Sequence, residues 1–137
     1  METGISPEYV QFYDGRDFDA GRSGHHYLLR PETVESFFVL YHLTGDPVYR
    51  EWGWEVFQAI EKYCKVIGGY GGIRNVRRDK PMVDVDDKME SFFLAETLKY
   101  LYLLFDPETP IDLLNKHVFN TEAHPIRTFP QMDRDGN

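Results

Sequence analysis

Residues 30–63 read RPETVESFFVLYHLTGDPVYREWGWEVFQAIEKY, and this stretch predicts two consecutive helices joined by a tight turn. The apolar residues of its first half recur at the i, i+3, i+4, i+7 spacing of one helix face. These residues are Val34, Phe37, Phe38 and Tyr41. We therefore predict a helix over residues 31–43. Gly45 then provides a stop, and Asp46 as N-cap with Pro47 at the first helical position provides a new start.

A second helix is predicted over residues 47–67, because the helical spacing of apolar residues continues that far. Trp54 and Phe57 widen its apolar face beyond what contact with a single helix would bury. We therefore expect this helix to pack on more than one side.

A third helix is predicted over residues 87–106, where Asp87 and Glu90 stand at the spacing of a capping box. Loops separate the helices, with a short helix expected over residues 7–12 and a short strand or turn over residues 73–76. The succession of helix, short turn and helix with wide apolar faces predicts an all-α fold. It would be built from αα-hairpins in a bundle, a solenoid or a toroid, with little strand.

Composition is that of a single globular domain. The chain has 137 residues, of which 42% are hydrophobic, and a formal net charge of -8. The length suffices for one core, and an acidic surface repels phosphate backbones, so no nucleic-acid partner is expected. Neither a signal peptide nor a membrane anchor is visible in the sequence. The single cysteine, Cys64, excludes an internal disulfide and lies in an apolar helical pattern, which predicts a buried thiol rather than a reactive one.

Acidic and aromatic residues in two of the predicted helices are candidates for chemistry. Glu32 and Glu35 follow Arg30 in the first turns of a helix and share a face, although for that motif alone favourable interaction with the helix dipole is the preferred explanation. Glu96 lies in an otherwise apolar stretch, which leaves two interpretations open: a position at the solvent edge, or a pocket in which burial raises its pKa. Carboxylates above an aromatic floor such as Phe92 are typical of sugar sites.

A third group of candidates lies near the C-terminal end of the chain. Thr121 and Glu122 offer hydroxyl, carboxylate and carbonyl oxygens, which are the hard ligands that calcium prefers. Taken alone, the motif is explained more simply by an ordinary turn capped by a side chain.

Four motifs, in this order along the chain, together resemble glycoside hydrolase family 47. They are LRPETVES (29–36), EWGWE (51–55), DKMESFFLAETLKYL (87–101) and FNTEAHP (119–125). The resemblance runs over residues 1–130 and leaves residues 131–137 as a polar tail. It implies the C-terminal portion of the catalytic domain of an inverting, calcium-dependent α-1,2-mannosidase, folded as part of an (αα)7 toroid. It also implies a high-mannose N-glycan as substrate and a place in the secretory pathway, in the endoplasmic reticulum or Golgi.

The resemblance further implies roles for individual residues. Glu32 would be the general base or a close partner of the attacking water, and Thr121 would bind Ca²⁺ through its hydroxyl and its carbonyl. The other matching positions would bind the sugar or calcium-bound waters. They are Arg30, Glu35, Phe92, Glu96 and Glu122.

The sequence also departs from the family pattern. In the family, the general acid and the paired cysteines lie in an earlier part of the catalytic domain, which this sequence does not contain. One interpretation is therefore a mannosidase segment that works with a missing N-terminal part of the same domain. The alternative is a non-catalytic truncated domain that at most binds mannose-rich glycan or a complementary chain. The loop over residues 77–86 also differs from the family pattern, which leaves the preferred branch of the glycan open.

Overall fold

Helices dominate the computed structural model of the chain, which describes residues 2–20, 24–77 and 84–129. Within these segments, three short two-stranded antiparallel sheets accompany the helices. The predicted polar tail at residues 131–137 and the middle of the loop at residues 77–86 lie outside the described residues. None of the helices in the described segments is both long and apolar enough to span a bilayer.

The first predicted αα-hairpin forms as expected. Helix α1 spans Glu32–Thr44 and ends at Gly45, whose φ of 71° is a left-handed conformation that glycine adopts without strain. Helix α2 spans Val48–Tyr63. The carboxylate of Asp46 accepts a hydrogen bond from the N–H of Val48 at 3.0 Å, so the predicted capping role of Asp46 is confirmed.

The prediction that the second helix extends to residue 67 is wrong. Cys64 caps α2, and the chain then forms a short hairpin from β3 (Lys65–Val66) and β4 (Gly69–Tyr70). Gly68 permits this turn, because its φ of 87° would strain any residue with a side chain. The glycine-rich sequence therefore ends the helix although the apolar spacing continues.

The third helical segment begins later than predicted. A π-helical turn, Phe93–Thr97, leads directly into helix α3, Leu98–Phe105. The predicted start at a capping box of Asp87 and Glu90 is wrong. The Glu90 carboxylate pairs instead with the ammonium group of Lys88 at 2.5 Å. A π-helical turn is uncommon and is frequently found at functional sites.

The chain before α1 is extended, so the short helix predicted over residues 7–12 is wrong. Strand β1 (Gln11–Tyr13) pairs antiparallel with β2 (Arg16–Asp19). The N–H of Glu8 donates to the carbonyl of His26 at 2.9 Å. Pairing with distant residues therefore replaces the local hydrogen bonds of a helix.

Short strand pairings also occur in the rest of the chain. Strand β5 (His117–Phe119) pairs antiparallel with β6 (Pro125–Arg127). In the region expected to be a strand or a turn, residues 73–76, a bridge joins Ile73 to Tyr27. The bridge ties the N-terminal segment to residues 73–76, and the β5–β6 hairpin reaches the helices through Phe119 and Ala123, which pack in a cluster with residues of α1 and α3.

Two clusters of buried residues form the core. One lies between α2 and the chain before α1 and includes Ile5, Tyr27, Leu29, Ile60, Cys64, Ile73 and Phe93. The other joins α1, α3 and the β5–β6 loop and comprises Val34, Phe38, Tyr100, Leu101, Leu104 and Ala123. Helix α2 packs against both α1 and α3, as its wide apolar face predicts. Cys64 is fully buried, which confirms the prediction of a buried thiol, and burial raises the pKa of that thiol to about 12.

One apolar surface on α2 and α3 is open to water. It surrounds a cavity of about 370 Å³, at which Trp54 is 50% and Tyr102 is 67% exposed. The cavity is lined by Trp54, Phe57, Leu98, Leu101, Tyr102, Phe105 and Asp106. We call this the α2–α3 apolar surface. An apolar surface that stays open to water is a candidate site for association between molecules.

We expect the isolated chain to bind a hydrophobic dye and to self-associate through the α2–α3 apolar surface. Trp54→Glu places a charge there and should lower dye fluorescence by about twofold or more, with a matching loss of association in sedimentation velocity. Phe12→Glu is the control, because Phe12 is 80% exposed but lies outside this surface. A wild-type chain that is monodisperse and does not bind the dye would contradict this prediction.

Candidate active site

The start of α1 is held by a strained residue in the core. Leu29 has a φ of 64°, a left-handed conformation that costs an L-residue about 1–2 kcal/mol. Its carbonyl accepts a hydrogen bond from the Thr97 hydroxyl at 2.6 Å, and both residues are fully buried. This bond fixes the direction in which the chain leaves the core toward Arg30 and α1.

Arg30 is placed by a buried acid and an aromatic ring. Its Nε donates to Glu8 Oε2 at 2.5 Å, while Glu8 Oε1 accepts the N–H of Leu28 at 2.7 Å. The Arg30 guanidinium carbon lies 5.4 Å from the centroid of the Phe92 ring. The hydrogen bond from Arg30 to Glu8 raises the pKa of the guanidinium further. The structure therefore brings together Arg30 and Phe92, which lie far apart in the sequence.

Glu8 is a residue of this site that the sequence interpretation missed. Its side chain is only 8% exposed although it is a carboxylate. Its two partners lie 20 and 22 positions further along the chain, so no local spacing reveals the pairing. The one available signal is an acid directly after a Ser-Pro pair in a segment without helical periodicity.

Three carboxylates from two other parts of the chain lie within electrostatic reach of Glu96. Glu96 is half-buried in the π-helical turn, and desolvation raises the pKa of its carboxyl. The charges of Glu32, Glu122 and Glu35 raise that pKa further, while the ammonium of Lys99 lowers it. Crowding of like charges disfavours the ionised form, so this cluster favours a bound cation or a bound proton.

The two acids of α1 have different surroundings. Glu35 Oε1 accepts a hydrogen bond from the Tyr100 hydroxyl at 3.1 Å. Tyr100 is buried, and its burial together with the Glu35 charge raises the pKa of the phenol. Glu32 is exposed on the wall of a cleft of about 430 Å³ that also contains Arg30 and Glu8. No donor in the described segments bonds to the Glu32 carboxylate, which leaves it able to accept a proton from a bound molecule.

The β5–β6 loop presents Thr121 and Glu122 at its exposed tip. Asn120 Oδ1 accepts hydrogen bonds from the N–H groups of Glu122 at 3.0 Å and His124 at 2.9 Å, so the turn is capped by a side chain as expected for this motif. Ala123 is fully buried and has a φ of 56°. The loop is therefore a second place where a strained residue that is not glycine adjoins candidate site residues.

The oxygens of this loop suit a hard cation. Nothing in the described part of the chain bonds to the Thr121 hydroxyl, so this oxygen and the Thr121 carbonyl are candidate ligands for calcium. No three His, Cys, Asp or Glu side chains among the described residues converge closely enough to bind a metal directly. The nearby carboxylates would therefore act on a cation through water molecules.

Comparison with known proteins identifies relatives over most of the chain. A family model described as Glycosyl hydrolase family 47 matches residues 1–128. The endoplasmic reticulum mannosyl-oligosaccharide 1,2-alpha-mannosidase of Homo sapiens is 51% identical over 132 residues, which cover 92% of this chain and 19% of that protein. A mannosyl-oligosaccharide 1,2-alpha-mannosidase of Arabidopsis thaliana is 50% identical over 131 residues, which cover 96% of this chain and 22% of that protein.

A solved structure shares the fold. The alpha-1,2-mannosidase from Trichoderma reesei superposes with a TM-score of 0.71 at 41% sequence identity, over 77% of this chain and 22% of that chain. The chain thus spans about a fifth of the length of the curated relatives that it matches. These matches confirm the family resemblance that the four sequence motifs indicate.

We expect Glu96→Gln to stabilise the chain at neutral pH. The folded-state pKa of Glu96 is raised above its ordinary value of 4.5, so the ionised carboxylate costs stability as the pH rises through that folded-state pKa. Below the unfolded pKa both states are protonated, and the advantage of the variant should disappear. The measurement is the melting temperature of both proteins between about pH 3 and pH 8 without calcium.

The control for this experiment is Glu55→Gln, which removes the same charge from an exposed position on α2. It corrects for the effect of lowering the overall negative charge. If both variants raise the melting temperature equally at pH 7, the carboxylates around Glu96 do not interact as described.

Proposed function

Because the chain belongs to glycosyl hydrolase family 47, we propose that residues 1–130 form the C-terminal portion of the catalytic domain of a mannosyl-oligosaccharide 1,2-α-mannosidase. The observation that carries this proposal is the placement of Glu32, Glu35 and Glu122, from α1 and the β5–β6 loop, within electrostatic reach of Glu96 in the π-helical turn. Carboxylates together with an aromatic ring suit a sugar, because carboxylates accept hydrogen bonds from the sugar hydroxyls. In the complete domain, α1 and α2 would be one αα-hairpin of the (αα)7 toroid.

We assign sugar binding to the residues around Phe92. Its ring would cover the apolar face of a mannose unit, and Arg30 is already held near that ring by Glu8. The acids of the cluster would accept the sugar hydroxyls or the waters between the sugar and a cation. These acids are Glu35, Glu96 and Glu122.

We assign the general base to Glu32. Its carboxylate is exposed in the cleft and accepts no hydrogen bond from the described residues, so it can take a proton from water. The water would attack the anomeric carbon on the face opposite the leaving group, and the configuration at that carbon would invert. Inverting enzymes hold the base and the acid roughly 6.5–9.5 Å apart to leave room for this water. The general acid would come from another part of the complete domain.

Thr121 is the residue to which we assign calcium, through its hydroxyl and carbonyl oxygens. When bound there, calcium would supply positive charge that offsets the crowded carboxylates and helps to orient water. Glu96 and Glu122 would hold the waters around the ion. The substrate class that follows is a high-mannose N-glycan, and the name of the human relative, an endoplasmic reticulum enzyme, supports a place in the secretory pathway.

We expect Glu32 and Thr121 to fail differently when they are changed in a complete domain. A suitable protein is the human relative in which residues 1–128 of this chain replace the matching segment. Glu32→Gln should lower kcat by about 10²–10⁴-fold, because it removes the base, while calcium still raises the melting temperature. Thr121→Ala should weaken calcium affinity and reduce that thermal shift, with activity recovering partly at high calcium because the carbonyl remains.

Turnover and the calcium-induced thermal shift are measured for both variants, with Glu55→Gln as a control that removes an acid outside the cluster. Near-normal turnover of Glu32→Gln would make the assignment of the base wrong and leave Glu35 or Glu96 as candidates. Unchanged calcium binding in Thr121→Ala would place the metal elsewhere. An unchanged chimera that lacks all activity would contradict the proposed function itself.

We also expect the chain of 137 residues to be inactive by itself. A missing acid costs about 10²–10⁴-fold, and the loss of the surrounding hairpins removes positioning as well. The assay follows mannose release from an α-1,2-linked oligosaccharide with and without calcium. Robust calcium-dependent release by the purified chain would show that the acid lies within these residues.

A further inference from the structure

Lys99 lies where the π-helical turn and the β5–β6 loop meet. Its Nζ donates to the Ala123 carbonyl at 2.8 Å, and the residue is half-buried. It follows Glu96 by three positions, so both side chains lie on one side of the helical segment. We propose that Lys99 is a positioning residue that holds the loop carrying Thr121 and Glu122 at a fixed place relative to Glu96. This inference deepens the proposed function and rests on it for its link to calcium.

The geometry of the loop explains why such a tie is needed. Ala123 keeps a φ of 56°, which a residue with a side chain adopts only where its surroundings impose it. Its methyl group is buried in the cluster that contains Tyr100 and Leu101, and its carbonyl is held by Lys99. Asn120 orders the other side of the loop through the N–H groups of Glu122 and His124. The loop is therefore fixed internally by Asn120 and fixed to the helical segment by Lys99.

A charged donor suits this position better than a neutral one. Hydrogen bonds from an ammonium group are roughly twice as strong as bonds between neutral groups. The same charge acts on the Glu96 carboxyl and opposes there the charges of Glu32 and Glu35 of α1 and of Glu122 of the loop. Arg30, the other cation close to this cluster, is bonded to Glu8. Lys99 can therefore position the loop and moderate the repulsion among these acids with one group.

The test compares Lys99→Met, which keeps the length of the side chain but removes the donor and the charge, with Lys99→Arg, which keeps both. Lys65→Met is the matched control, because Lys65 is an exposed lysine that pairs with Glu61 away from this loop. Two properties of the chain are measured: the ¹H–¹⁵N shifts and hydrogen exchange of residues 120–124, and the affinity for Ca²⁺ by calorimetric titration.

Lys99→Met should shift the loop resonances, raise exchange at the Glu122 and His124 amides by about tenfold, and weaken calcium binding by a similar factor. Lys99→Arg should restore most of each property, and Lys65→Met should change neither. Loop resonances and calcium affinity in Lys99→Met equal to those of the control would overturn the proposal. If Lys99→Met does not fold, Lys99→Gln takes its place, because it keeps a neutral donor. The loop resonances of Lys99→Gln should then be shifted to an intermediate degree. Loop resonances identical to those of the wild-type chain would overturn the proposal as well.

The two arms separate this proposal from the proposed function. A wild-type chain that binds no calcium while Lys99→Met still perturbs the loop would contradict the assignment of the metal site and support the positioning role. Calcium binding with equal affinity in all variants, together with an unperturbed loop, would leave the metal site in place and remove Lys99 from it.

Discussion

The hydrogen bond from the Thr97 hydroxyl to the Leu29 carbonyl is the constraint on which the rest of the site depends. It joins residues 68 positions apart and is fully buried. A buried carbonyl without a partner would cost about 1–3 kcal/mol, so the bond fixes the π-helical turn against the start of α1. Arg30 and Glu32 follow Leu29 directly in the chain, and Glu96 and Lys99 lie beside Thr97, so this bond sets the distance between the two pairs. The two core clusters meet at this point, so site geometry and core packing are set together.

The features of this arrangement that could be predicted from the sequence are those set by residues close together in the chain. The αα-hairpin could be predicted, because Gly45 and Asp46 act within a few residues of the turn that they form. The π-helical turn could not, because the buried positions along it and α3 also fit ordinary α-helical spacing. These positions are Phe93, Thr97, Tyr100, Leu101 and Leu104. Glu8 could not be found either, since its bonds to Leu28 and Arg30 exist only once the fold has formed.

The electrostatic balance of the site follows from the same packing. Glu32, Glu35 and Glu122 lie within electrostatic reach of Glu96, where the ammonium of Lys99 opposes their effect, while Arg30 is engaged by Glu8. The ionised Glu96 carboxylate raises the free energy of the folded state unless positive charge compensates. The arrangement therefore exchanges some stability of the free chain for affinity toward a cation or toward groups that donate hydrogen bonds, such as sugar hydroxyls.

The left-handed conformations of Leu29 and Ala123 have a consequence for protein engineering. Glycine would relieve the backbone strain at either position, but it would also remove the side chain that anchors the segment in the core. Neither segment keeps its shape by itself, because a side chain of the helical segment holds each one: Thr97 bonds to the Leu29 carbonyl and Lys99 to the Ala123 carbonyl. A loop transplanted from this chain onto another scaffold would therefore relax unless the buried pocket for its anchor were transplanted with it. The graft must include the packed interior as well as the residues at the surface.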